Sequence, residues 1–470
     1  MKIGIVGAGS AGLFAANELG KANLPDVEIK VFDQGPQVDK RYCAISEGLA
    51  CAECYPCKIM AGIGGAGAYS SGILNLNENI GGNLGILCKK VGLNANDVIN
   101  EIDDFFVTNG APDNIYDPYE NKEKLNELRQ KCVSVDVRFI PIRQRLLGTE
   151  NTPEIIKSIQ EHLENDYNIQ IYPNTKIYRF DEKKSLYFNN NLNRKSENFD
   201  VLLITPGRWG MLWLAENCEA LGIKTFYLPL DIGVRVEIPS IIIADICEKI
   251  QRDPKFHIIT PTYHDFLRTF CVNHKGYVVK ENYEENIVGV NGHQFTSEGD
   301  SENSNFAFLI RQRLTSPLED TTEYGRAISK QASILGGYKP LIQTLGDLRS
   351  GHRSRNSLID KNPVQPTLND TTPGDIAMAY PYRFVKDILE GLKILDKIIP
   401  GVNNDSTLIY APEFKRSAKL IDMNAFMESK KIKNMFFAGD GAGVSRGIVG
   451  AAVTGIIAAK GIIRNITSSK

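Results

Sequence analysis

Three closely spaced cysteines are the residues of this chain whose types and spacing most directly suggest chemistry. Cys51, Cys54 and Cys57 lie in the segment CAECYPCKIMAGIGGAGAYSSG, residues 51–72. With Cys43 as a fourth thiolate, the run could ligate an iron–sulfur cluster. As a catalytic dithiol, it could instead exchange electrons through a reactive thiolate. A third interpretation is a structural zinc site or small buried hydrophobic side chains, and the spacing leaves all three open.

A second group of residues is suited to holding a phosphate. The sequence GAGSAG places Gly7, Gly9 and Gly12 in the pattern GxGxxG between an apolar strand and a helix. The first glycine of this pattern permits a tight turn, the second lets the backbone approach a pyrophosphate, and the third lets the helix pack on the strand. The backbone N–H groups at the helix start, around Ser10 and Ala11, would face the anion.

An acidic residue follows at the distance that this pattern requires. Asp33 lies 21 residues after Gly12, at the end of the next predicted strand, residues 27–32. A carboxylate at that position binds the ribose hydroxyls of a dinucleotide. The strand, helix and second strand form a βαβ unit, which predicts a parallel sheet with a right-handed crossover.

The C-terminal part contains another strand–turn–helix corner, FFAGDGAGVSRGIVGAA. Gly439 and Asp440 follow the strand, and a carboxylate there can accept a hydrogen bond from a ribitol hydroxyl, which favours FAD over NAD. The helix start near Gly443, Val444 and Arg446 would direct partial positive charge at the flavin edge that becomes negative on reduction. A cation at Arg446 suggests contact with a cofactor phosphate or a substrate carboxylate, and a solvated or salt-bridged arginine is the alternative.

These motifs resemble those of glutathione-reductase-type flavoproteins with two dinucleotide folds, in GAGSAG with Asp33, in TPGR and in AGDGAG. More narrowly, the chain resembles a bacterial and archaeal group of uncharacterised FAD-dependent dehydrogenases. The matching segments follow one another along nearly the whole chain: GIGGAGAYSSGILNL, DIGVRVEIP, TFCVNHKGYVV, VNGH, NSNFAF, QTLGDL and AGDGAGVSRGI. The chain departs from the group at Ser71, Gly72 and Ile73, where an Asp-Gly-Lys-like ending is usual. The resemblance implies FAD binding and redox chemistry.

In related flavoproteins, a glycine-rich segment after the second strand crosses near the flavin. Backbone can approach a planar ring only where no Cβ obstructs it, so the glycines after the cysteine run suit that role. The cofactor-binding residues that this segment and the TPGR turn add to the prediction are Gly64, Gly65, Ala66, Gly67, Thr205 and Gly207.

The predicted function is an FAD-dependent oxidoreductase that transfers a hydride through flavin N5 to or from an unidentified small-molecule substrate held between the domains. No second GxGxxG follows a strand, so electrons would come from the substrate, from transiently bound NAD(P)H or from a redox protein. Two alternatives are a C=C reductase resembling geranylgeranyl reductases, and an electron-relay flavoprotein with a cysteine-ligated iron–sulfur cluster.

Four further polar residues are candidates for a role in the site. His293 in VNGH is the candidate catalytic proton donor, and His274 in FCVNHKGY is a second one, because histidine titrates near neutral pH. Arg235 and Glu237 in GVRVE alternate on one strand face, which predicts either an internal ion pair or a wall of the site.

The predicted strands and helices that would position these residues indicate an α/β protein. A discontinuous Rossmann-like FAD-binding domain would comprise residues 1–210 and 370–470. Residues 211–369 would form an inserted β-rich substrate domain, since strands separated by polar loops dominate residues 227–308.

The overall composition indicates which classes of binding partner and which cellular compartment to expect. The 470 residues carry a formal net charge of -2 and no long basic run, which argues against nucleic acid as a partner. Of nine cysteines, five are scattered singly, a pattern typical of a reducing cytoplasm. Residues 447–459 form an apolar stretch of 13 residues, shorter than the roughly 20 of a membrane span, so a buried helix is predicted. Met1 leads directly into a strand, without a signal-peptide pattern.

Overall fold

The computed structural model describes most of the chain. The described residues are 1–43, 52, 54–69, 72–148, 150–190, 193–283, 286–294, 299–415 and 417–468. The strands are β1 (Lys2–Val6), β2 (Glu28–Phe32), β3 (Ile73–Leu76), β4 (Ile115–Tyr116), β5 (Arg138–Ile140), β6 (Arg143–Leu146), β7 (Gln170–Tyr172), β8 (Ile177–Phe180), β9 (Ser185–Asn190), β10 (Asn193–Asn198), β11 (Val201–Ile204), β12 (Thr225–Phe226), β13 (Leu230–Pro239), β14 (Lys255–Ile259), β15 (Phe266–Asn273), β16 (Tyr277–Asn282), β17 (Val288–His293), β18 (Asn303–Gln312), β19 (Leu341–Thr344), β20 (Thr372–Pro373), β21 (Leu408–Lys415), β22 (Leu420–Ile421) and β23 (Met435–Phe437).

Helices of very different length alternate with these strands. The α-helices are α1 (Ser10–Lys21), α2 (Leu84–Lys90), α3 (Ala95–Thr108), α4 (Lys122–Val133), α5 (Thr152–Tyr167), α6 (Met211–Ala220), α7 (Ile241–Lys249), α8 (Thr321–Leu335), α9 (Leu345–Ser350), α10 (Asn356–Ile359), α11 (Tyr382–Leu395) and α12 (Ile448–Thr467). The 3₁₀ helices are Val38–Lys40, Gly65–Tyr69, Ile376–Met378 and Asp440–Ala442.

The chain forms two compact units. The first contains residues 1–115, 144–226 and 418–470, and the second contains residues 116–143 and 227–417. The predicted domain boundaries stay a prediction, and the compact units differ from them: α4 and β5 belong to the second unit, as do α11 and β21.

The first unit is built on a five-stranded parallel sheet with the strand order β23-β11-β1-β2-β7. Central β1 pairs with β2 on one side and with β11 on the other, and β11 pairs with β23. Strands from the N-terminal, middle and C-terminal parts of the chain therefore share one sheet, which confirms the predicted discontinuous Rossmann-like domain. Two small antiparallel sheets, β10-β9-β8 and β12-β22, also belong to this unit, as does most of a third small sheet with the order β3-β6-β4.

Helices α1 and α12 pack closely within the first unit. A Cβ added to Gly455 of α12 would lie only 2.1 Å from the carbonyl oxygen of Ala11 in α1. Helix α12 has 20 residues, more than the predicted 13, and by length and composition it is apolar enough to cross a membrane. However, 67% of its most apolar window is buried inside the protein. Its apolar residues, among them Val453 and Ile457, contribute to the core of this unit.

The second unit is dominated by an eight-stranded sheet with the order β20-β19-β21-β13-β18-β15-β14-β5. Neighbours β19 and β20 are parallel, and the other neighbouring pairs are antiparallel. Nine of the ten residues of β13 are buried, as expected for a central strand covered on both faces. Strands β16 and β17 form a separate antiparallel pair. This sheet confirms the predicted additional β-rich domain.

Helix α11 of the second unit buries a carboxyl group with a displaced pKa. Asp387 is fully buried. Burial, and after it the adjacent Asp265, raise the pKa of Asp387 to about 7. Asp265 itself stays ionised because Arg383 and Gln312 donate hydrogen bonds to it, with Nε–Oδ2 and Nε2–Oδ2 distances of 2.6 and 2.8 Å. In the folded chain, Asp387 therefore holds a proton that an unfolded chain releases near pH 4.

This displacement predicts a pH-dependent stability. Because the pKa of Asp387 is raised on folding, protonated Asp387 contributes to the free energy of unfolding. This contribution is complete below about pH 4 and is lost as the pH rises through about 7. We expect Asp387→Asn to match the wild type at acidic pH and to be more stable at pH 8 by about 2–4 kcal/mol. Thermal unfolding midpoints measured from pH 4 to pH 8 test this. The exposed Glu319→Gln, which removes the same charge elsewhere in the unit, is the matched control. A gap between Asp387→Asn and wild type that does not grow with pH would contradict the prediction.

Candidate functional site

The candidate site lies at the carboxyl ends of neighbouring strands in the first unit. Strands β1, β11 and β23 are adjacent and lead into turns that begin at Gly7, Thr205 and Ala438. In open parallel sheets, ligands bind at this edge. The turns touch one another: Thr205 Oγ1 donates a hydrogen bond to the Gly7 carbonyl oxygen at 2.9 Å. A Cβ at Gly441 would lie 2.4 Å from the carbonyl oxygen of Gly207.

Steric contacts explain two of the glycines in the first turn. Gly7 has φ +102°, and a Cβ there would lie 2.2 Å from the carbonyl oxygen of Thr205. A Cβ at Gly12 would lie 2.0 Å from the carbonyl oxygen of Gly7. Neither position can accept a side chain without moving backbone, so both glycines let α1 start immediately after β1.

Gly9 differs from its neighbours because space is open beside it. Its φ of -79° and ψ of -174° suit any residue, and a Cβ would have one described atom within 4 Å, the Cα of Gly65 at 3.7 Å. Helix α1 begins at the next residue, Ser10, and its first turn contains no acidic residue. The first N–H groups of α1, including that of Ala11, therefore form a positive helix end next to open space.

The glycine-rich segment 62–69 lies directly against this helix start. Gly64 and Gly9 form an isolated parallel bridge, and a Cβ on Gly65 would lie 3.0 Å from the Cα of Gly9. A Cβ on Gly67 would lie 3.0 Å from Cγ1 of Ile448, the first residue of α12. The segment thus brings the backbone of two turns and the starts of two helices together, and Ala66 lies in its 3₁₀ helix.

A buried arginine, which sequence reasoning missed, holds the glycine-rich segment. The Arg41 side chain is 4% exposed and donates four hydrogen bonds of 2.6–2.8 Å to backbone carbonyls. The acceptors are the carbonyl oxygens of Lys58, Ile59, Ile63 and Gly65. Burial lowers the pKa of Arg41 to about 10, so the group stays charged at neutral pH. Its guanidinium also lies 4.7 Å from the ring centroid of Tyr69.

Asp33 ties the end of β2 to the glycine turn. Its carboxylate accepts hydrogen bonds from the backbone N–H groups of Ala8 and Gly35, both at 2.9 Å. Burial raises the pKa of Asp33, and these two hydrogen bonds oppose the rise. Sequence reasoning gave Asp33 a ribose contact, which stays a prediction. The structure adds a role in fixing the turn.

Asp440 holds the turn that leads into α12. Its carboxylate accepts hydrogen bonds from Ser445 Oγ at 2.9 Å and from the backbone N–H of Gly447 at 3.0 Å. Because a carboxylate offers about four acceptor sites, Asp440 keeps capacity for a ligand hydroxyl. Gly443, with φ +76°, belongs to the same turn, and Arg446 precedes the first residue of α12 by two positions.

A pair of glycines that sequence reasoning missed packs against this helix start. The carbonyl oxygen of Gly81 accepts a hydrogen bond from the backbone N–H of Arg446 at 2.7 Å. A Cβ on Gly450 would lie 2.4 Å from the same carbonyl oxygen, and a Cβ on Gly82 would lie 3.1 Å from that of Val444. The Gly-Gly dipeptide in NIGGN was the available signal, since such pairs mark turns with positive φ.

The geometry fits a bound dinucleotide. The backbone of Gly9 lies against that of Gly64 and Gly65, and none of the three residues has a Cβ. Open space lies beside Gly9. The positive end of α1 is also next to this space, and the first turn of α1 contains no acidic side chain. Two family models match the chain: "FAD-dependent protein, C-terminal domain-like" over residues 229–416, and "Glucose inhibited division protein A" over residues 387–470. The cofactor is FAD. The chain is an FAD-dependent oxidoreductase.

Three individual proteins are similar to this chain over nearly its whole length. An uncharacterised protein of Clostridium beijerinckii is 26% identical over 500 residues, which cover 99% of this chain and 81% of that protein. The glycine oxidase of Geobacillus kaustophilus has a TM-score of 0.39 and 10% identity, over 98% of this chain and 94% of the oxidase. The pyridoxine 4-oxidase of Mesorbium loti has a TM-score of 0.47 and 12% identity, over 99% of both chains.

The predicted cysteine site lies partly outside the described residues. Cys51 is not among them, Cys54 is exposed, and Cys43 and Cys57 are half-buried. Within the described part of the chain, no three histidine, cysteine or acidic residues are placed to hold a metal ion. With Cys51 outside that part, the iron–sulfur and dithiol interpretations, and with them the electron-relay alternative, stay predictions. Tyr55, between Cys54 and Cys57, lies 6.1 Å from Trp209, measured between ring centroids.

The second unit contains the other predicted polar residues. Arg235 is fully buried and forms a bidentate ion pair with Glu413, at 2.8 and 3.0 Å, rather than with Glu237. The guanidinium reaches across to β21, the strand that pairs with its own strand β13. Glu237 instead accepts a hydrogen bond from the Tyr410 hydroxyl at 2.5 Å, and burial raises the pKa of Glu237. An ion pair within GVRVE was therefore the wrong interpretation.

The two candidate proton donors differ in their surroundings. His274 is almost completely buried, with its ring nitrogens 2.9 Å from Ser304 Oγ and from a Glu248 carboxylate oxygen. Both nitrogens are thus occupied, which argues for a structural role. His293 ends β17 and is half-buried, and burial lowers the pKa of His293. Its assignment as a catalytic residue stays a prediction.

Proposed function

We propose that this FAD-dependent oxidoreductase transfers a hydride between flavin N5 and a small-molecule substrate. The observation that carries the proposal is that three glycines, Gly9, Gly64 and Gly65, bring their backbones together at the start of α1. Because none of them has a Cβ, a flat cofactor with a diphosphate group can approach the backbone there. When bound, FAD supplies a two-electron acceptor or donor at N5. The glutathione-reductase-type arrangement belongs to this proposal, with central β1 of the parallel sheet as its support.

In this proposal, different residues of the first unit bind different parts of FAD. The N–H groups of Ser10, Ala11 and Gly12 hold the diphosphate, because they form the positive end of α1. Asp440 accepts a hydrogen bond from the ribitol chain with its remaining acceptor sites. The start of α12 near Arg446 favours negative charge on the ligand, since its first turn lacks an acidic residue. The predicted contacts of Thr205, Gly207 and Val444 complete the set.

The partner that exchanges electrons is a small-molecule substrate, NAD(P)H that binds transiently, or a redox protein. A cytoplasmic location is part of the proposal, and the cysteines in the described ranges, all of them free thiols, support it. A C=C reductase remains an alternative prediction without a specific supporting contact.

Absorbance of the purified protein tests the proposal. We expect the two resolved bands of oxidised flavin, and bleaching of the longer-wavelength band on anaerobic addition of dithionite. Parallel anaerobic additions of NADH and NADPH identify whether a nicotinamide is the direct donor. Iron and sulfide analysis of the same sample tests the cysteine-ligated cluster independently. A folded protein that is colourless and does not take up added FAD would contradict the proposal.

A further inference from the structure

The second unit contains a cavity lined by its own residues. Its volume is about 1080 Å³, and it is partly open to solvent. The residues that line it come from α9, α10 and β20 and from the loops between them, and the polar ones used below are Asp347, His352, Arg353, Arg355, Ser357 and Thr371. A cavity of this size exceeds what water or a single ion needs and is in the range of small-molecule sites.

Buried hydrogen bonds fix segment 351–355, which contains Arg353 and Arg355 and forms the cationic wall of the cavity. Gln343 of β19 is fully buried; its Nε2 donates to the carbonyl oxygen of His352 at 2.7 Å, and its Oε1 accepts from the N–H of Ile376 at 2.9 Å. Ser354 is also fully buried, and its Oγ accepts from the N–H of Thr344 at 3.1 Å. Segment 351–355 is thereby anchored at two points, and sequence reasoning had given Gln343 no role.

The charges on this wall are not neutralised by their surroundings. Arg355 is exposed, and its guanidinium forms no hydrogen bond or ion pair with another described residue. Arg353 has one weak contact, from Nη2 to the carbonyl oxygen of Pro373 at 3.4 Å. Among the described residues that line the cavity, Asp347 is the single acidic one against the two arginines, and its carboxylate accepts a hydrogen bond from the Ser354 hydroxyl at 2.5 Å. By contrast, nearby Arg349 is paired with Asp405.

We propose that this cavity binds a small organic anion carrying a phosphate or carboxylate group, held by Arg353 and Arg355. The planar guanidinium offers paired donors that match the oxygen spacing of either group. His352 and the Ser357 and Thr371 hydroxyls can add hydrogen bonds on the same wall. Because segment 351–355 is anchored by buried Gln343 and Ser354, little ordering of backbone opposes binding. This anion site goes beyond the proposed hydride transfer.

Calorimetric titration of the FAD-loaded protein tests the proposal. The probes are glycerol 3-phosphate and succinate, and loading the protein with FAD keeps both of them out of the cofactor site. We expect at least one of them to bind, and Arg353→Ala combined with Arg355→Ala to weaken that binding at least about tenfold. Arg313→Ala removes an exposed arginine of the same unit that does not line the cavity and is expected to leave affinity within twofold.

The two probes distinguish the ligand groups. Binding of glycerol 3-phosphate alone assigns a phosphate ligand, and binding of succinate alone assigns a carboxylate ligand. No binding of either probe at millimolar concentration, or equal binding by wild type and the double variant, would overturn the proposal. Unchanged flavin absorbance in every variant keeps this result distinct from a failure of the FAD site.

Discussion

An alanine at Gly9 is expected to leave the chain folded and to weaken FAD binding by about 5- to 150-fold. The backbone dihedral angles of Gly9 suit alanine, and the added Cβ would meet one described atom, 3.7 Å away. That open space lies beside the positive end of α1, where the diphosphate is proposed to bind, so the methyl group would displace the ligand and not the protein. Far-UV circular dichroism and thermal unfolding of the FAD-free protein measure folding, and FAD fluorescence quenching measures affinity.

A second glycine of the same motif is the matched control. Gly12→Ala places its Cβ 2.0 Å from the carbonyl oxygen of Gly7, so we expect loss of about 3 kcal/mol of stability whether or not FAD is present. The two variants therefore separate a glycine that makes room for the ligand from one that makes room for the helix. Unchanged FAD affinity in a folded Gly9→Ala protein would contradict the proposed cofactor site.

The parts of this site that could be predicted are those fixed by residues close to one another in sequence. The turn from β1 to α1 is set by glycines within six residues, and the sequence pattern predicted a strand before this turn and a helix after it. Helix α5 ends at Tyr167 because the next residue, Asn168, adopts the left-handed conformation. Such features are readable because the residues that interact are close in sequence.

Contacts between distant residues were not predictable from one sequence. Segment 116–143 belongs to the second unit because β5 pairs with β14, more than a hundred residues later. Arg235 pairs with Glu413, 178 residues away, and a strand-face pattern contains no information about the neighbouring strand. Gln343 and Arg41 bind backbone carbonyls, which every residue has, so no side-chain pattern marks their partners.

Asp33 and Arg41 form one electrostatic unit behind the glycine turns. Arg41 lowers the pKa of Asp33 against the larger effect of burial, and Asp33 in turn favours the charged form of Arg41. Asp33 holds the first turn through the N–H of Ala8, and Arg41 holds residues 58–65 through four carbonyl oxygens. Loss of either partner would leave a buried charge without its counter-charge, which is costly.

Arg41→Ala is therefore expected to destabilise segment 58–65 and to abolish tight FAD binding. Four carbonyl oxygens would lose a charged donor, and each buried carbonyl left unpaired costs about 1–3 kcal/mol, so a total loss of at least about 3 kcal/mol is expected. Gly64 and Gly65 would then no longer be held against Gly9, the contact on which the cofactor site depends. Faster hydrogen exchange in residues 58–65 and a lower FAD affinity are the two readouts.

Two further variants show whether the geometry of Arg41 or only its charge matters. Arg41→Lys keeps the positive charge, but its single ammonium group cannot reach four carbonyls arranged around a planar fork, so partial recovery is expected. Arg179→Ala is the matched control, since Arg179 is an exposed arginine of the same unit whose guanidinium lies over the ring of Tyr187 and contributes at most about 1 kcal/mol. Full recovery by lysine would reduce the role of Arg41 to charge alone. Equal exchange rates in Arg41→Ala and wild type would show that the glycine-rich segment is held by other contacts.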